Sequence, residues 1–144
     1  MSQYPHSLEG ALGHPLKFRP STYRAVRAFA RLRPWRGTLE DRQAKFQQLH
    51  ASLSAIYNVK PTLIFEGDGT GDSDGSYFST RENVIVMTGR LSVVTFLHEW
   101  GHVLKGGSEF GACRWSLQLF KKCFPKSWER LRWEGHVGRA TPRE

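Results

Sequence analysis

Hydrophobic positions recur with a helical period in two stretches of the N-terminal half. In residues 21–33 the apolar side chains return every three positions, and Pro34 follows where a helix would have to stop. Residues 38–58 place leucine, isoleucine and phenylalanine on one helical face, and they begin with Thr38 and Asp41 at the spacing of a capping box. The pattern therefore predicts two amphipathic helices before the chain changes character.

Beyond Pro61 the hydrophobic period shortens to that of β-strands. Three short segments, 62–65, 76–80 and 83–87, are rich in β-branched and aromatic residues. The residues between the first two segments, 66–75, are rich in Asp and Gly, but they lack the acidic ligands of an EF-hand in the required register. We therefore predict a small three-stranded sheet with a flexible loop after its first strand.

Helical patterns return in the C-terminal half. A helix is predicted from residue 91 or 92 to residue 104 or 105, where a glycine pair ends it. A second helix follows Ser108 and ends before Pro125, and a short third helix is predicted over 128–133. Together these elements predict a compact α+β fold with N-terminal helices, a small three-stranded sheet and two successive C-terminal helices.

The whole chain, residues 1–144, is predicted to form one domain. Its length, with 39% hydrophobic and 24% charged residues, is typical of a soluble globular protein. Residues 1–19 and 135–144 have no clear period, which predicts a loosely docked arm and a poorly ordered tail. The sequence has no recognisable membrane span or signal peptide, so a cytoplasmic location without membrane contact is expected.

The chain is strongly basic, with 21 Lys and Arg against 13 Asp and Glu and a formal net charge of +8. Such an excess favours anionic partners, above all nucleic acids. In the first predicted helix, Arg24, Arg27 and Arg31 form a stripe separate from the apolar positions, with Arg33 and Arg36 close by. These five arginines are candidate nucleic-acid contacts, and the alternative is a solvated helix face.

The segment FLHEWGHVL contains the pattern HExxH inside an almost wholly apolar helix. Residues four apart lie on the same helical face, so His98 and His102 can both reach one zinc ion. Glu99 is one step round the helix and flanks the ion, where it can act as general base for a metal-activated water. The alternative is three polar side chains satisfied by hydrogen bonds in the core, which is costly in a buried helix. The pattern therefore predicts a catalytic zinc site.

A catalytic zinc site needs a third protein ligand and keeps one position for water. Glu109 is the natural candidate, because the glycine pair lets its helix fold back against the first; a helix-start glutamate favoured by the helix dipole is the alternative. His136 is the main rival ligand, whereas Cys113, four residues into the helix, is expected to point elsewhere. For the donor that stabilises the oxyanion, His136 and Tyr77 are the candidates.

The order of strands, followed by TFLHEWGHVL and by a helix that begins with Glu, resembles the ImmA/IrrE-type zinc metallopeptidases, a compact gluzincin-like group. In that family a helix reading approximately E-x-E-A-N-x-F-A-x-x-L-L follows the HExxH pattern. The matching positions in this chain are Glu109, Ala112, Trp115, Ser116, Leu119 and Phe120. Gly111 and Cys113 depart from the family pattern, because they replace its second Glu and its Asn.

The resemblance implies a zincin-like fold and a zinc ion held by His98, His102 and Glu109. It also implies that Glu99 is the general base and proton shuttle of peptide hydrolysis. Such proteins often cleave helix-turn-helix transcriptional repressors and so release stress-response or mobile-element genes, which implies a partner of that kind. A zinc endopeptidase with one specific protein substrate is therefore the first functional prediction.

Two other functions stay open. One is a DNA-dependent protease similar to the SprT group, in which His136 would be the third ligand and single-stranded or double-stranded DNA would activate cleavage of DNA-bound proteins. The other is a non-catalytic nucleic-acid-binding or regulatory module with a structural metal site. A structural zinc site normally has four protein ligands, however, and no fourth is evident in the sequence.

Overall fold

The fold is mixed α+β, as the sequence predicts. The computed structural model describes residues 8–134 and 137–140. In that part of the chain the elements are, in order, α1 (Leu8–Leu12), α2 (Pro20–Arg31), α3 (Leu39–Tyr57), β1 (Thr62–Glu66), β2 (Tyr77–Ser79), β3 (Val84–Thr88), α4 (Val93–Lys105), α5 (Glu109–Cys123), α6 (Pro125–Trp128), β4 (Leu131–Glu134) and β5 (Val137–Ala140). None of the described helices is long and apolar enough to cross a membrane.

Helix α3 begins at a complete capping box. The Thr38 hydroxyl accepts a hydrogen bond from the backbone N–H of Asp41, and the Asp41 carboxylate accepts one from the backbone N–H of Thr38, both at 3.1 Å. Two N–H groups that the first helical turn leaves unpaired are thereby satisfied. The helix ends at Asn58 in the left-handed conformation (φ 53°), which asparagine tolerates better than most residues. The helix predicted over 38–58 is confirmed.

Strand β3 is the centre of the three-stranded sheet. It pairs in parallel with β1, where Leu63 lies opposite Ile85, and antiparallel with β2, where Phe78 lies opposite the same residue. The β3 residues from Val84 to Met87 are all buried, which explains their unbroken apolar run. Strands β1 and β2 are therefore the two edges of the sheet, and β2 lies against helix α4.

Helices α4 and α5 pack closely through a small residue on each. A Cβ atom added at Gly101 would lie 2.8 Å from both the Cα and the carbonyl oxygen of Ala112. Only glycine allows the two backbones to approach so closely. Since Ala112 is in the first turn of α5, this crossing brings the start of α5 against the middle of α4.

We expect Gly101→Ala to lower the free energy of unfolding by about 2 kcal/mol. Overpacking costs up to about 3 kcal/mol where, as here, the added methyl group meets backbone that cannot rotate away, and the better helix propensity of alanine offsets about 1 kcal/mol. Urea denaturation of the metal-free protein measures the change. Gly107→Ala is the matched control, because a Cβ there meets nothing within 4 Å. Equal stability of the two variants would contradict the close crossing.

The C-terminal helix predicted over 128–133 is wrong. Helix α6 already ends at Trp128, and the chain then forms β4, which pairs antiparallel with β5. The pairing of Glu134 with Val137 leaves two residues between the strands, the length of the commonest hairpin connection. A six-residue segment is too short for its hydrophobic period to distinguish a helix from a strand. Of the tail predicted over 135–144, the structure describes only β5.

Residues 1–19 are predicted to form a loosely docked arm. The part of this arm that the structure describes is instead held against α5. Ala11 in α1 is fully buried. The backbone N–H of Leu16 donates to Oε1 of Gln118 at 2.7 Å, and Nε2 of Gln118 donates to the carbonyl oxygens of Ala11 and His14. One half-buried amide side chain on α5 therefore satisfies three backbone groups of the arm.

Candidate metal centre

Helix α4 carries the HExxH pattern through an almost wholly apolar part of the chain. Ser92 caps the helix with its hydroxyl, which accepts from the backbone N–H of Thr95 at 3.3 Å. His98 and His102 lie about one turn apart on the same face, and their ring centroids are 4.9 Å apart. Their side chains are 10% and 14% exposed, so both imidazoles lie at the edge of the core.

The chain reverses between α4 and α5 so that Glu109 meets both histidines. Gly106 ends α4 at φ +69°, a conformation that favours glycine, and Ser108 caps α5 with its hydroxyl. Oε2 of Glu109 lies 3.1 Å from Nε2 of His98, and Oε1 lies 2.8 Å from Nε2 of His102. The structure thus brings together the three residues that the sequence selected as metal ligands.

These three side chains form a group that could hold a metal ion. Two imidazole nitrogens and one carboxylate oxygen all lie within 4.8 Å of one another. No other group of His, Cys, Asp or Glu side chains in the described part of the chain has this arrangement. Two imidazoles and one carboxylate are also the ligand set of a class of catalytic zinc sites, which keep a further position for water.

The hydrogen-bonding surroundings of His102 fit a bound cation. Its Nδ1 lies 2.9 Å from the carbonyl oxygen of Gly106, which can only accept, so this nitrogen carries the proton. In the neutral ring Nε2 then has a lone pair, and this lone pair faces Oε1 of Glu109 at 2.8 Å. Oε2 of Glu109 is buried, and its 3.1 Å contact with Nε2 of His98 does not have the geometry of a hydrogen bond. A positive ion between the ring and the carboxylate would satisfy both groups.

His98 turns Nε2 towards Glu109 and Nδ1 towards Cys113, whose Sγ lies 3.8 Å away. Burial lowers the pKa of His98, against the opposing effect of the Glu109 charge, and so favours the neutral imidazole that binds metals. Burial also raises the pKa of the Cys113 thiol to about 12. Cys113 is outside the candidate ligand group, as expected, but its neutral thiol contacts one candidate ligand on the side of the ring away from the cluster.

Glu99 lies beside the cluster rather than in it. The residue is 7% exposed, and it does not belong to the group that could hold the ion. Burial raises the pKa of Glu99 to about 7, and the charge of Glu109 adds to this rise. The charge of His102 and a hydrogen bond with the backbone of Phe78 act in the opposite direction. A carboxyl group with a pKa near neutrality can both take up and release a proton, as a general base must.

A cleft of about 320 Å³ opens over the cluster. Its lining combines Glu99 and the three candidate ligands with residues of β2 and its flanks, namely Ser76, Tyr77, Phe78 and Thr80. Tyr77, a sequence candidate for the oxyanion donor, is thus in the same cleft as the cluster, and it is 47% exposed. His136, the other oxyanion candidate and the rival ligand, lies outside the described residues.

The five arginines selected as nucleic-acid contacts are exposed, and none of them lines this cleft. Arg24, Arg27 and Arg31 lie on α2, and Arg33 and Arg36 lie in the segment that connects α2 to α3. The structure therefore assembles the candidate metal ligands in one place and leaves the basic residues on a separate surface.

Sequence reasoning missed a hydrogen-bonded pair behind the site, here called the His50–Trp100 brace. Trp100 on α4 is fully buried and donates its Nε1–H to Nδ1 of His50 on α3 at 3.1 Å. Nε2 of His50 lies 2.6 Å from the carbonyl oxygen of Pro61, so the ring is neutral with its proton on Nε2. Burial lowers the pKa of His50, and the hydrogen bond to Pro61 opposes this shift. The one sequence signal was a histidine beside the apolar face of α3.

The brace leads us to expect a pH-dependent stability. Above the unfolded-state histidine pKa of about 6.5, His50 is neutral in both the folded and the unfolded chain. Below that pH the unfolded chain binds the proton more readily, so the contribution of His50 to stability falls as the pH falls. We expect the wild type to lose more stability than His50→Gln between about pH 7.5 and pH 5.5. Urea unfolding with a chelator present tests this, and equal losses would contradict the brace.

The geometry defines a candidate metal centre of two histidines and one glutamate, beside an acid–base carboxyl, in an α+β fold. No protein-family model matches the chain, and no curated protein or solved structure matches it. The resemblance to the ImmA/IrrE-type peptidases stays a prediction, and the function is inferred from the geometry of the site.

Proposed function

We propose that the protein is a zinc-dependent endopeptidase. The observation that carries this proposal is the convergence of Nε2 of His98 and Nε2 of His102 on the carboxylate of Glu109, with Glu99 in the same cleft. A hydrolytic zinc enzyme needs three protein ligands, an open coordination position and a nearby general base. A structural zinc site would need a fourth protein ligand, and the candidate group among the described residues has three members.

Zinc is the metal that best suits these donors. Imidazole nitrogen is a common ligand for zinc, whereas calcium and magnesium prefer sites made of oxygen atoms alone. His98, His102 and Glu109 would hold the ion, and the Gly106 carbonyl already fixes the ring of His102 from behind. When bound, zinc would supply Lewis acidity, which acidifies a water molecule and polarises a peptide carbonyl.

Glu99 is assigned the proton transfers. Its pKa of about 7 allows the carboxylate to accept a proton from the attacking water and then to donate that proton to the leaving amine. Its burial in the cleft wall and its hydrogen bond with the backbone of Phe78 restrict the orientation of the carboxyl group. Tyr77 lines the same cleft, and we propose its hydroxyl as the donor to the oxyanion.

Strand β2 is proposed to bind the backbone of the substrate. It is an edge of the sheet, whereas β3 is paired on both sides and has no free edge. A peptide that added to β2 as a further strand would pass along the cleft, because Tyr77 and Phe78 line it. We therefore propose an extended protein segment as the substrate. The family resemblance implies that this segment belongs to a helix-turn-helix transcriptional regulator.

A peptide-cleavage experiment tests the proposal. The zinc-loaded protein is incubated with a proteome-derived peptide library and with a purified helix-turn-helix repressor, and new termini are identified by mass spectrometry. We expect a defined set of cleaved bonds that disappears with a zinc chelator and returns when zinc is restored. Cleavage that persists in the metal-free protein, or no cleavage of any substrate by the zinc-loaded protein, would contradict the proposal.

A further inference from the structure

The positive charge of the chain is concentrated in one segment. Residues 10–39 contain seven Lys and Arg and no Asp or Glu, so this segment carries seven of the eight net positive charges. A solvated helix face usually mixes charges of both signs, which pair or screen one another. Thirty residues without a single carboxylate therefore favour association with an anionic partner.

Five arginines of this segment are exposed, and together we call them the basic surface: Arg24, Arg27, Arg31, Arg33 and Arg36. The first three lie at helical spacings of three and four on α2, so they share one face. The side chains of Arg24, Arg31, Arg33 and Arg36 form no hydrogen bond or ion pair with another described residue. These guanidinium groups are therefore available to bind phosphate.

Helix α5 adds further positive charge beside α2. Arg27 and Lys122 both lie over the ring of Tyr23, at 5.6 Å and 5.1 Å from its centroid. Neighbouring Lys121 contacts Trp128 in the same way, at 5.6 Å. Two cations on one ring repel each other, and an anion bound nearby would relieve that repulsion. The basic surface thus continues onto the C-terminal end of α5.

The loop that carries Arg33 and Arg36 also presents an exposed aromatic side chain. Trp35 is 38% exposed, although its ring also packs against Phe124 at a centroid distance of 6.3 Å. Trp35 lies between Arg33 and Arg36 in the sequence. Nζ of Lys45 on α3 donates hydrogen bonds to the carbonyl oxygens of these two arginines, at 3.1 Å and 2.8 Å. The loop that presents Trp35 is therefore tied to α3. A tryptophan held in place among arginines can stack on an unpaired base.

We propose that the basic surface binds single-stranded nucleic acid, with phosphates on the arginines and a base stacked on Trp35. A duplex presents its phosphates but hides the faces of its bases, so it could not use the tryptophan. An anionic membrane would also attract the arginines, but it offers no base to stack. This binding site does not depend on the metal centre, since none of its residues lines the cleft.

Fluorescence anisotropy with labelled single-stranded DNA and RNA of about 20 nucleotides tests the proposal, since this length exceeds a typical binding site. We expect both strands to bind, with a log–log salt slope of magnitude about 2 to 3.5, as three to five phosphate contacts give. The matching duplex is expected to bind at least about fivefold more weakly, because the stacking is lost. Tighter binding of DNA than of RNA, or the reverse, would identify which nucleic acid the protein binds, and either result supports the proposal.

Variants separate the two kinds of contact. Trp35→Ala should weaken binding at least about fivefold with an unchanged salt slope, while Trp35→Phe retains most of the affinity. The double variant Arg24→Gln, Arg31→Gln should reduce the magnitude of the slope by about 1.4. Arg81→Gln is the matched control, because it removes an equally exposed arginine elsewhere on the chain.

Three outcomes would overturn the proposal. The first is affinity for single strands that none of these variants changes. The second is a duplex affinity equal to the single-strand affinity, with neither affinity changed by Trp35→Ala. The third is binding to phosphatidylserine–phosphatidylcholine vesicles without binding to either oligonucleotide.

Discussion

Glu99→Gln is expected to abolish peptide hydrolysis while the protein still binds zinc. Glutamine has nearly the same shape as glutamate, but its amide cannot accept a proton from water or return one to the leaving amine. Loss of a general base costs about 10²–10⁴-fold in rate, and the larger value is expected here because Glu99 serves both proton transfers. Since Glu99 is outside the ligand group, the zinc content should not change.

The measurement is kcat/KM on a peptide cleaved by the wild type, together with the zinc content of the same samples. Glu82→Gln is the matched control, because it neutralises an exposed glutamate outside the cleft. Activity of Glu99→Gln within about tenfold of the wild type would show that Glu99 is not the base. Loss of zinc from this variant would instead make Glu99 a metal ligand.

Glu109→Ala is expected to weaken zinc binding by at least about 100-fold, since loss of an outer-shell partner alone costs 10–100-fold. The carboxylate lies 2.8–3.1 Å from Nε2 of both histidines, so its removal leaves a two-ligand site. Zinc stabilises the folded chain by about 2.7 kcal/mol when its concentration is 100 times the Kd. Most of this thermal stabilisation should therefore be absent from the variant.

Glu40→Ala is a close control for this experiment. Glu40 and Glu109 are both first-turn glutamates that interact favourably with the positive end of a helix, in α3 and α5. Any effect of the helix dipole should therefore be common to both variants, whereas the loss of zinc affinity should be confined to Glu109→Ala. Equal zinc affinity in the two variants would contradict the ligand role of Glu109, and His136→Ala and Cys113→Ala would then identify the third ligand.

The parts of the site that the sequence predicts are those encoded by local spacing. The four-residue interval between His98 and His102 places both rings on one helical face wherever the helix lies. Gly106 and Ser108 mark the end of one helix and the start of the next, and this reversal is what returns Glu109 to the histidines. The capping box of α3 likewise joins two residues, Thr38 and Asp41, that are only three positions apart in the sequence.

The contacts that the sequence does not predict join distant residues or depend on how elements are rotated. Trp100 and His50 are 50 positions apart, so their hydrogen bond has no spacing signal. The contact of Cys113 with His98 depends on the rotation of α5 about its axis, which is constrained by the close approach of the two helices at Gly101. The pairing of β4 with β5 was missed because short strands are stabilised by their partners rather than by their own hydrophobic period.

The basic surface shows the limit of sequence patterns for function. The helical spacing of Arg24, Arg27 and Arg31 is visible in the sequence, but a solvated face has the same spacing. The distinguishing features are structural: the side chains of Arg24, Arg31, Arg33 and Arg36 form no hydrogen bond or ion pair with another described residue, and Lys122 lies over the same ring as Arg27. A second binding surface on a proposed peptidase could bring it to substrates on nucleic acid.

The most direct test of the metal centre is X-ray absorption at the zinc edge on the dialysed, zinc-loaded protein. We expect one tightly held zinc ion with nitrogen and oxygen neighbours at about 2.0–2.2 Å, including two imidazole rings, and no sulfur at about 2.3 Å. His98→Ala leaves a two-ligand site, so this variant should lose its zinc on dialysis. A sulfur neighbour would place Cys113 or Cys123 among the ligands, and loss of zinc from the wild type on dialysis would show that His98, His102 and Glu109 do not form a zinc site. Either result would contradict the catalytic zinc centre.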